Sequence, residues 1–147
     1  MVVAWLLTRA APAAGQQATE LGLEALATSS DPVVVVAGGY GALRPSDRGR
    51  IAALLGIGVA EGAFAWRGEA VGHFLVSPGQ RHGWGVYLAG GLAVAGTPAT
   101  RGYIMLGLGI EERPGAREGW VGELGVGGGV RVALGYRWRR FRSGLVQ

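Results

Sequence analysis

The chain has 147 residues, enough for one domain, with a formal net charge of +4, 49% hydrophobic residues, 16% charged residues and 29 glycines. A charged share well below the roughly 25% of ordinary soluble domains argues against a conventional water-facing surface, and glycines set among Val, Leu, Ile and aromatics argue against disorder and, lacking a three-residue period, against collagen. Cysteine and lysine are both absent, which removes disulfides, thiolate chemistry, Walker-type phosphate loops and lysine nucleophiles, while arginines scattered through expected turns argue against a nucleic-acid surface.

Residues 1–15 read as a signal-peptide-like segment: Met1 to Leu7 is apolar, and Ala11-Pro12-Ala13-Ala14 supplies the small residues of a cleavage site. Residues 16–147 are expected to form a single all-β domain. No later stretch reaches the roughly 18 uninterrupted apolar residues of a spanning helix, so any membrane crossing must use strands.

From residue 20 onward the dominant period is two. Turn chemistry at Ser29 to Pro32, Arg44 to Gly49, Arg67-Gly68, Ser77 to Gln80, Gly96 to Pro98, Arg113 to Gly115 and Gly127 to Gly129 divides the chain into about eight strands. These are expected at Glu20 to Thr28, Val33 to Ala42, Arg50 to Trp66, Glu69 to Val76, Trp84 to Ala95, Gly102 to Glu111, Gly119 to Val126 and Val130 to Arg140. The third is too long and changes parity near Ala60 to Gly62, which signals a bulge or a hidden turn.

Alternation separates two faces. Val86, Leu88, Leu92 and Val94 oppose Ala89, Gly91, Ala93 and Ala95; Ile104, Leu106, Leu108 and Ile110 oppose Met105, Gly107, Gly109 and Glu111; Val130, Val132, Leu134, Tyr136 and Trp138 oppose Arg131, Ala133, Gly135 and Arg137. A sandwich would put Thr, Ser and Gln on its second face. Glycine, alanine and a few charges suit instead the cramped lumen of a closed, antiparallel, up-and-down eight-stranded β-barrel, with the large apolar face turned to lipid. Trp84, Trp120, Tyr136 and Trp138 at one set of strand ends, and Phe64, Trp66 and Tyr103 near the other, match two interfacial aromatic girdles.

The small face collects Glu20, Glu24, Glu111, Glu123, Arg131 and Arg137, with Glu61 joining if the third strand is bulged and Glu69 and His73 as further candidates. Charges in a narrow, poorly hydrated interior must pair, and Arg can do so with two parallel hydrogen bonds. A plug of Glu/Arg pairs is therefore expected; a gated pore or proton path is the functional alternative.

The segment Val130-Arg131-Val132-Ala133-Leu134-Gly135-Tyr136-Arg137-Trp138 resembles the carboxy-terminal strand of bacterial outer-membrane β-barrel proteins, with its alternating apolar run, Gly-Tyr-Arg and aromatic. The resemblance implies a barrel like the transmembrane domain of the outer-membrane protein A class, an outer-membrane location in contact with its lipid, and recognition of Val130 to Trp138 by the barrel-assembly machinery. Two features depart from that pattern: Arg139 to Gln147 follow the aromatic, and the longer turns fall on the side of the carboxy terminus.

A structural or surface-interaction role without catalysis is the leading expectation. A soluble exported barrel, periplasmic or secreted, that binds a small apolar ligand or oligomerises through its apolar face is the second. The third is a lipid-modifying outer-membrane enzyme, which needs Ser, His and an acid together. Ser77 lies about 13 Å from His73 along one strand at roughly 3.3 Å per residue, so the two cannot bond directly there. His73 and His82 build no metal motif, and neither a metal nor a cofactor is expected. Oligomeric state is not written in the pattern.

Overall fold

Strict alternation gives each residue a side, and a sheet that closes on itself turns those two sides into an inside and an outside. The structure, a computed structural model, describes residues 17–142. The signal-peptide-like reading of residues 1–15 lies outside the described residues. Eight strands follow one another: β1 (Ala18–Thr28), β2 (Val34–Arg44), β3 (Gly49–Ala60), β4 (Ala63–Leu75), β5 (Trp84–Thr97), β6 (Ala99–Glu112), β7 (Glu118–Val126) and β8 (Val130–Phe141). Each pairs antiparallel with its neighbours in sequence, and β8 closes the barrel on β1, with Leu23 opposite Tyr136. Closure leaves no unpaired sheet edge.

The strand count matches the expectation, but the third and fourth strands have other bounds. The expected strand Arg50 to Trp66 is broken by a two-residue turn, Glu61-Gly62, in which both residues have positive φ (48° and 80°). That is the geometry of the tight hairpin turn whose twist matches paired strands, and it accounts for the change of parity. The turn expected at Arg67-Gly68 is absent, and β4 runs straight through it. Arg67 points inward there, so the Arg-Gly pair marks a buried charge and not a loop.

The outward rows are large, apolar and exposed: Leu23, Leu55, Ile57, Leu92, Ile104 and Leu134 each present about three-fifths or more of their surface. The inward rows hold two apolar clusters, one around Leu26, Val36, Tyr40 and Leu54, the other around Val71, Tyr87, Met105 and Val121. Between them lie buried charges. Glycine on the inward rows has a specific use at Gly109, where a Cβ would stand 2.0 Å from Cζ of Tyr87. A ring of that size fits this lumen only because the strand beneath it carries no side chain.

Connections 45–48, 76–83 and 113–117 lie at the end that holds both described termini; 29–33, 61–62, 98 and 127–129 lie at the other. The longest connection, 76–83, lies on the side of the carboxy terminus as the sequence indicates, but 29–33 on the other side is as long as 113–117 and longer than 45–48.

Candidate functional site

Inside the barrel the described residues include six buried arginines (Arg44, Arg50, Arg67, Arg131, Arg137, Arg139) and five buried glutamates (Glu20, Glu24, Glu69, Glu111, Glu123). Near equality of the two charges is what a poorly hydrated interior requires, since an ion left without a counterion there costs several kcal/mol.

The network has two layers. Towards the end with the termini, Glu20 and Glu111 are shared among arginines from β2, β3 and β8. Arg44 Nε lies 2.7 Å from Glu20 Oε1, and its Nη2 lies 3.3 Å from Glu111 Oε1. Arg50 Nη1 sits 2.8 Å from Glu111 Oε2 and 3.3 Å from Glu20 Oε2. Arg139 Nη2 reaches Glu111 Oε2 at 3.4 Å. Arg44 Nη1 also donates to the Pro114 carbonyl at 3.1 Å, and Arg139 Nη1 to the Ala116 carbonyl at 3.3 Å, which ties connection 113–117 over this mouth.

The second layer is organised by Arg131. Its Nε and Nη2 donate to the two carboxylate oxygens of Glu69 at 2.9 and 2.7 Å, a bidentate fork. Nη2 also donates to Glu24 at 3.2 Å, and Nη1 to Glu123. Glu69 accepts a further bond from Arg67 Nε at 2.7 Å, and Arg67 Nη2 donates to the Gly127 carbonyl at 2.9 Å at the other mouth.

Arg137, Tyr40, Tyr87 and His73 join the layers. Arg137 Nη2 donates to Glu24 at 3.4 Å, its Nη1 stands 3.6 Å from Glu111, and its guanidinium carbon lies 4.0 Å from the Tyr40 ring centre. The ring face supplies electron density where the guanidinium edge lacks an acceptor. Tyr87 Oη donates to Glu123 at 2.8 Å. Arg50 Nε donates to His73 Nδ1 at 3.3 Å, which leaves the imidazole proton on Nε2, 3.7 Å from Glu123. The void enclosed where Glu24, Glu69, His73, Glu123, Arg131 and Arg137 meet is about 10 Å³. That holds one water at most.

Of the residues singled out in the sequence, Glu20, Glu24, Glu69, His73, Glu111, Glu123, Arg131 and Arg137 all lie in this interior. Glu61 does not. It stands exposed in the β3–β4 turn, because the parity change that would have brought it inside is the turn itself. Arg44, Arg50, Arg67 and Arg139 were missed as interior residues, the first three because they adjoin turn-like residues. Parity is the signal that finds them: Arg44 follows Tyr40 and Ala42, Arg50 precedes Ala52 and Leu54, Arg67 precedes Glu69, and Arg139 follows Arg137, all on inward rows.

Of the aromatic positions, Trp84, Trp120 and Trp138 are exposed on the exterior, and Tyr136 lies between the last two, with ring centres 5.1 and 5.3 Å apart. Trp66 faces outward over Gly96, whose Cβ would meet the indole. Tyr103 is a correction to the girdle. It shares the inward row of Met105, and its ring packs on Gly128 at the lumen mouth. Ser77 is exposed in connection 76–83 while His73 is inside, so the fold does not bring that pair together.

This geometry has a counterpart among solved structures. A crystal structure of the N-terminal β-barrel domain of OprF from Pseudomonas aeruginosa superposes with a TM-score of 0.63, covering 82% of this chain and 97% of that one at 15% sequence identity. The chain has the fold of the OprF β-barrel domain. At that identity the likeness is one of architecture, and the expectation of a barrel of the outer-membrane protein A class holds at the level of fold. No family model matches the chain, and no curated protein matches it in sequence.

Proposed function

We propose that this protein is a bacterial outer-membrane β-barrel whose strands cross the bilayer, whose lumen is closed by its Glu/Arg network, and whose role is structural or one of surface interaction without catalysis. The observation that carries this reading is the inversion of polarity: apolar side chains cover the outside, and eleven charges among the described residues are buried inside between two apolar clusters. In water that arrangement loses on both counts, exposing Leu and Ile and desolvating eleven ions. In a bilayer the exterior is matched by lipid, and strands of 9 to 14 residues are long enough to span it. The void of about 10 Å³ supports a plug and not a pore. Val130 to Trp138 is the segment through which the assembly machinery would recognise the chain.

Membrane fractionation, gel mobility and conductance test this together. The protein should require detergent for extraction, migrate faster unheated than boiled, and give no steady conductance in a planar bilayer. A protein soluble without detergent contradicts the membrane reading; a detergent-requiring protein with stable channels contradicts the plug alone.

A further inference from the structure

The arginines outside the lumen are unevenly distributed. At the end with the termini, a cleft of about 1200 Å³ is bordered by Arg81, Arg117, Arg140 and Arg142, with Glu118 as its one carboxylate among the described residues. These four arginines make no ion pair among the described residues, unlike the buried ones. At the opposite end the exposed ionisable groups are Asp31, Glu61 and Arg101, with no comparable cluster.

The cleft also has a defined depth relative to the apolar exterior. Trp138 lines it and caps the ladder Trp120–Tyr136–Trp138, and Arg140 follows in the same outward row of β8. Leu21 is the neighbour of Trp138 across the β1–β8 pair and is 64% exposed. The arginine cluster therefore begins where the apolar row ends. A ligand seated there meets guanidinium groups at one end and an apolar track at the other.

We propose that this cleft binds the phosphate headgroup of an anionic lipid, with the acyl chains lying along Trp138, Tyr136 and Leu21. Guanidinium forks match phosphate oxygens with paired hydrogen bonds, and the aromatic ladder fits the glycerol and upper-chain region. A free phosphate would use the arginines but not the apolar track. The inference rests on the membrane reading, because the track must face lipid for the chains to lie on it.

The test uses the full chain reconstituted in phosphatidylcholine discs containing a minor fraction of phosphatidylglycerol with the same acyl chains, with the lipid retained after detergent transfer counted by native mass spectrometry. Wild type should retain phosphatidylglycerol in preference to phosphatidylcholine. The variant R117Q/R140Q/R142Q should lose that preference by about tenfold or more, since each basic group near an anionic lipid surface contributes about a fivefold factor. The matching Lys variant should keep most of it, which separates loss of charge from loss of fold, and Arg101→Gln at the other end should change nothing. Equal retention of both lipids by wild type, or an undiminished preference in the Gln variant, overturns the proposal while leaving the membrane reading intact. Displacement of phosphatidylglycerol by millimolar inorganic phosphate assigns the site to a free anion and overturns it too. A chain that does not enter the discs overturns both readings.

Discussion

Replacing Arg131 by methionine is expected to lower the stability of the folded barrel by about 3–5 kcal/mol, the usual cost of removing one partner from a buried ion network. Arg131 is the group on which Glu24, Glu69 and Glu123 converge. Methionine replaces much of its volume but none of its charge, so three carboxylates are left with Arg67, Arg137, Tyr87 and His73 as their partners. The denaturation midpoint of the refolded protein in micelles reads the effect, and the unheated, compact gel band should disappear at a lower temperature than in wild type. Adding Glu123→Gln should recover part of the loss, because without Arg131 that carboxylate has only Tyr87 and His73 beside it whereas Glu69 keeps Arg67 and Glu24 keeps Arg137, and the double-mutant cycle measures how much of the cost belongs to that pair. If Arg131→Met alone leaves the unfolding free energy within about 0.5 kcal/mol of wild type, as an ordinary surface change does, the interior is hydrated enough that the network is not what closes it.

The second large effect is expected on the outside. Leu55 lies near the middle of β3, is 65% exposed, and stands beside Gly39 and Gly68 on the flanking strands, so an arginine there clashes with no side chain. Facing lipid, Leu55→Arg should cost about 2–4 kcal/mol; facing water it should fall within about 0.5 kcal/mol. Refolding into vesicles followed by urea titration separates the two. A variant as stable as wild type and more soluble without detergent would favour the soluble exported barrel.

Both substitutions rest on alternation, and alternation is also why much of the fold was legible. In β8 the inward row Arg131, Ala133, Gly135, Arg137 and the outward row Val132, Leu134, Tyr136, Trp138 differ so strongly in size and polarity that a one-residue slip would put guanidinium groups on the exterior. The same contrast holds in β5 and β6. It fails near Glu61-Gly62, where Val59, Ala60, Ala63 and Phe64 continue the apolar run on both sides of the turn and neither residue is an Asn or Pro. Turn chemistry misled at Arg67-Gly68, where a charged residue beside glycine looks like a loop in any protein whose charges face water, although the row of Arg67 and Glu69 keeps its parity. In an inside-out barrel the same pair marks the lumen.

The candidate site was legible as a set of residues and not as a network. Parity puts Glu111 inside, but its sharing among Arg44, Arg50, Arg137 and Arg139 depends on stagger between β2, β3, β6 and β8, which strands far apart in sequence acquire only on closure. Tyr103 shows the limit from the other direction. Its position near a strand end suggests a girdle, whereas its row with Met105 turns it inward onto Gly128.

The absence of cysteine permits one direct test of the inside-out arrangement, because single cysteines introduced into the chain carry a fluorophore without background. Labels at Ala53, Leu55 and Ile57, all on the outward row of β3, should be quenched by brominated acyl chains in reconstituted vesicles and shielded from aqueous iodide. Labels in connection 76–83 should show the reverse. Quenching of the β3 labels by iodide and not by brominated lipid would mean that the apolar exterior does not meet the bilayer, and would contradict the account.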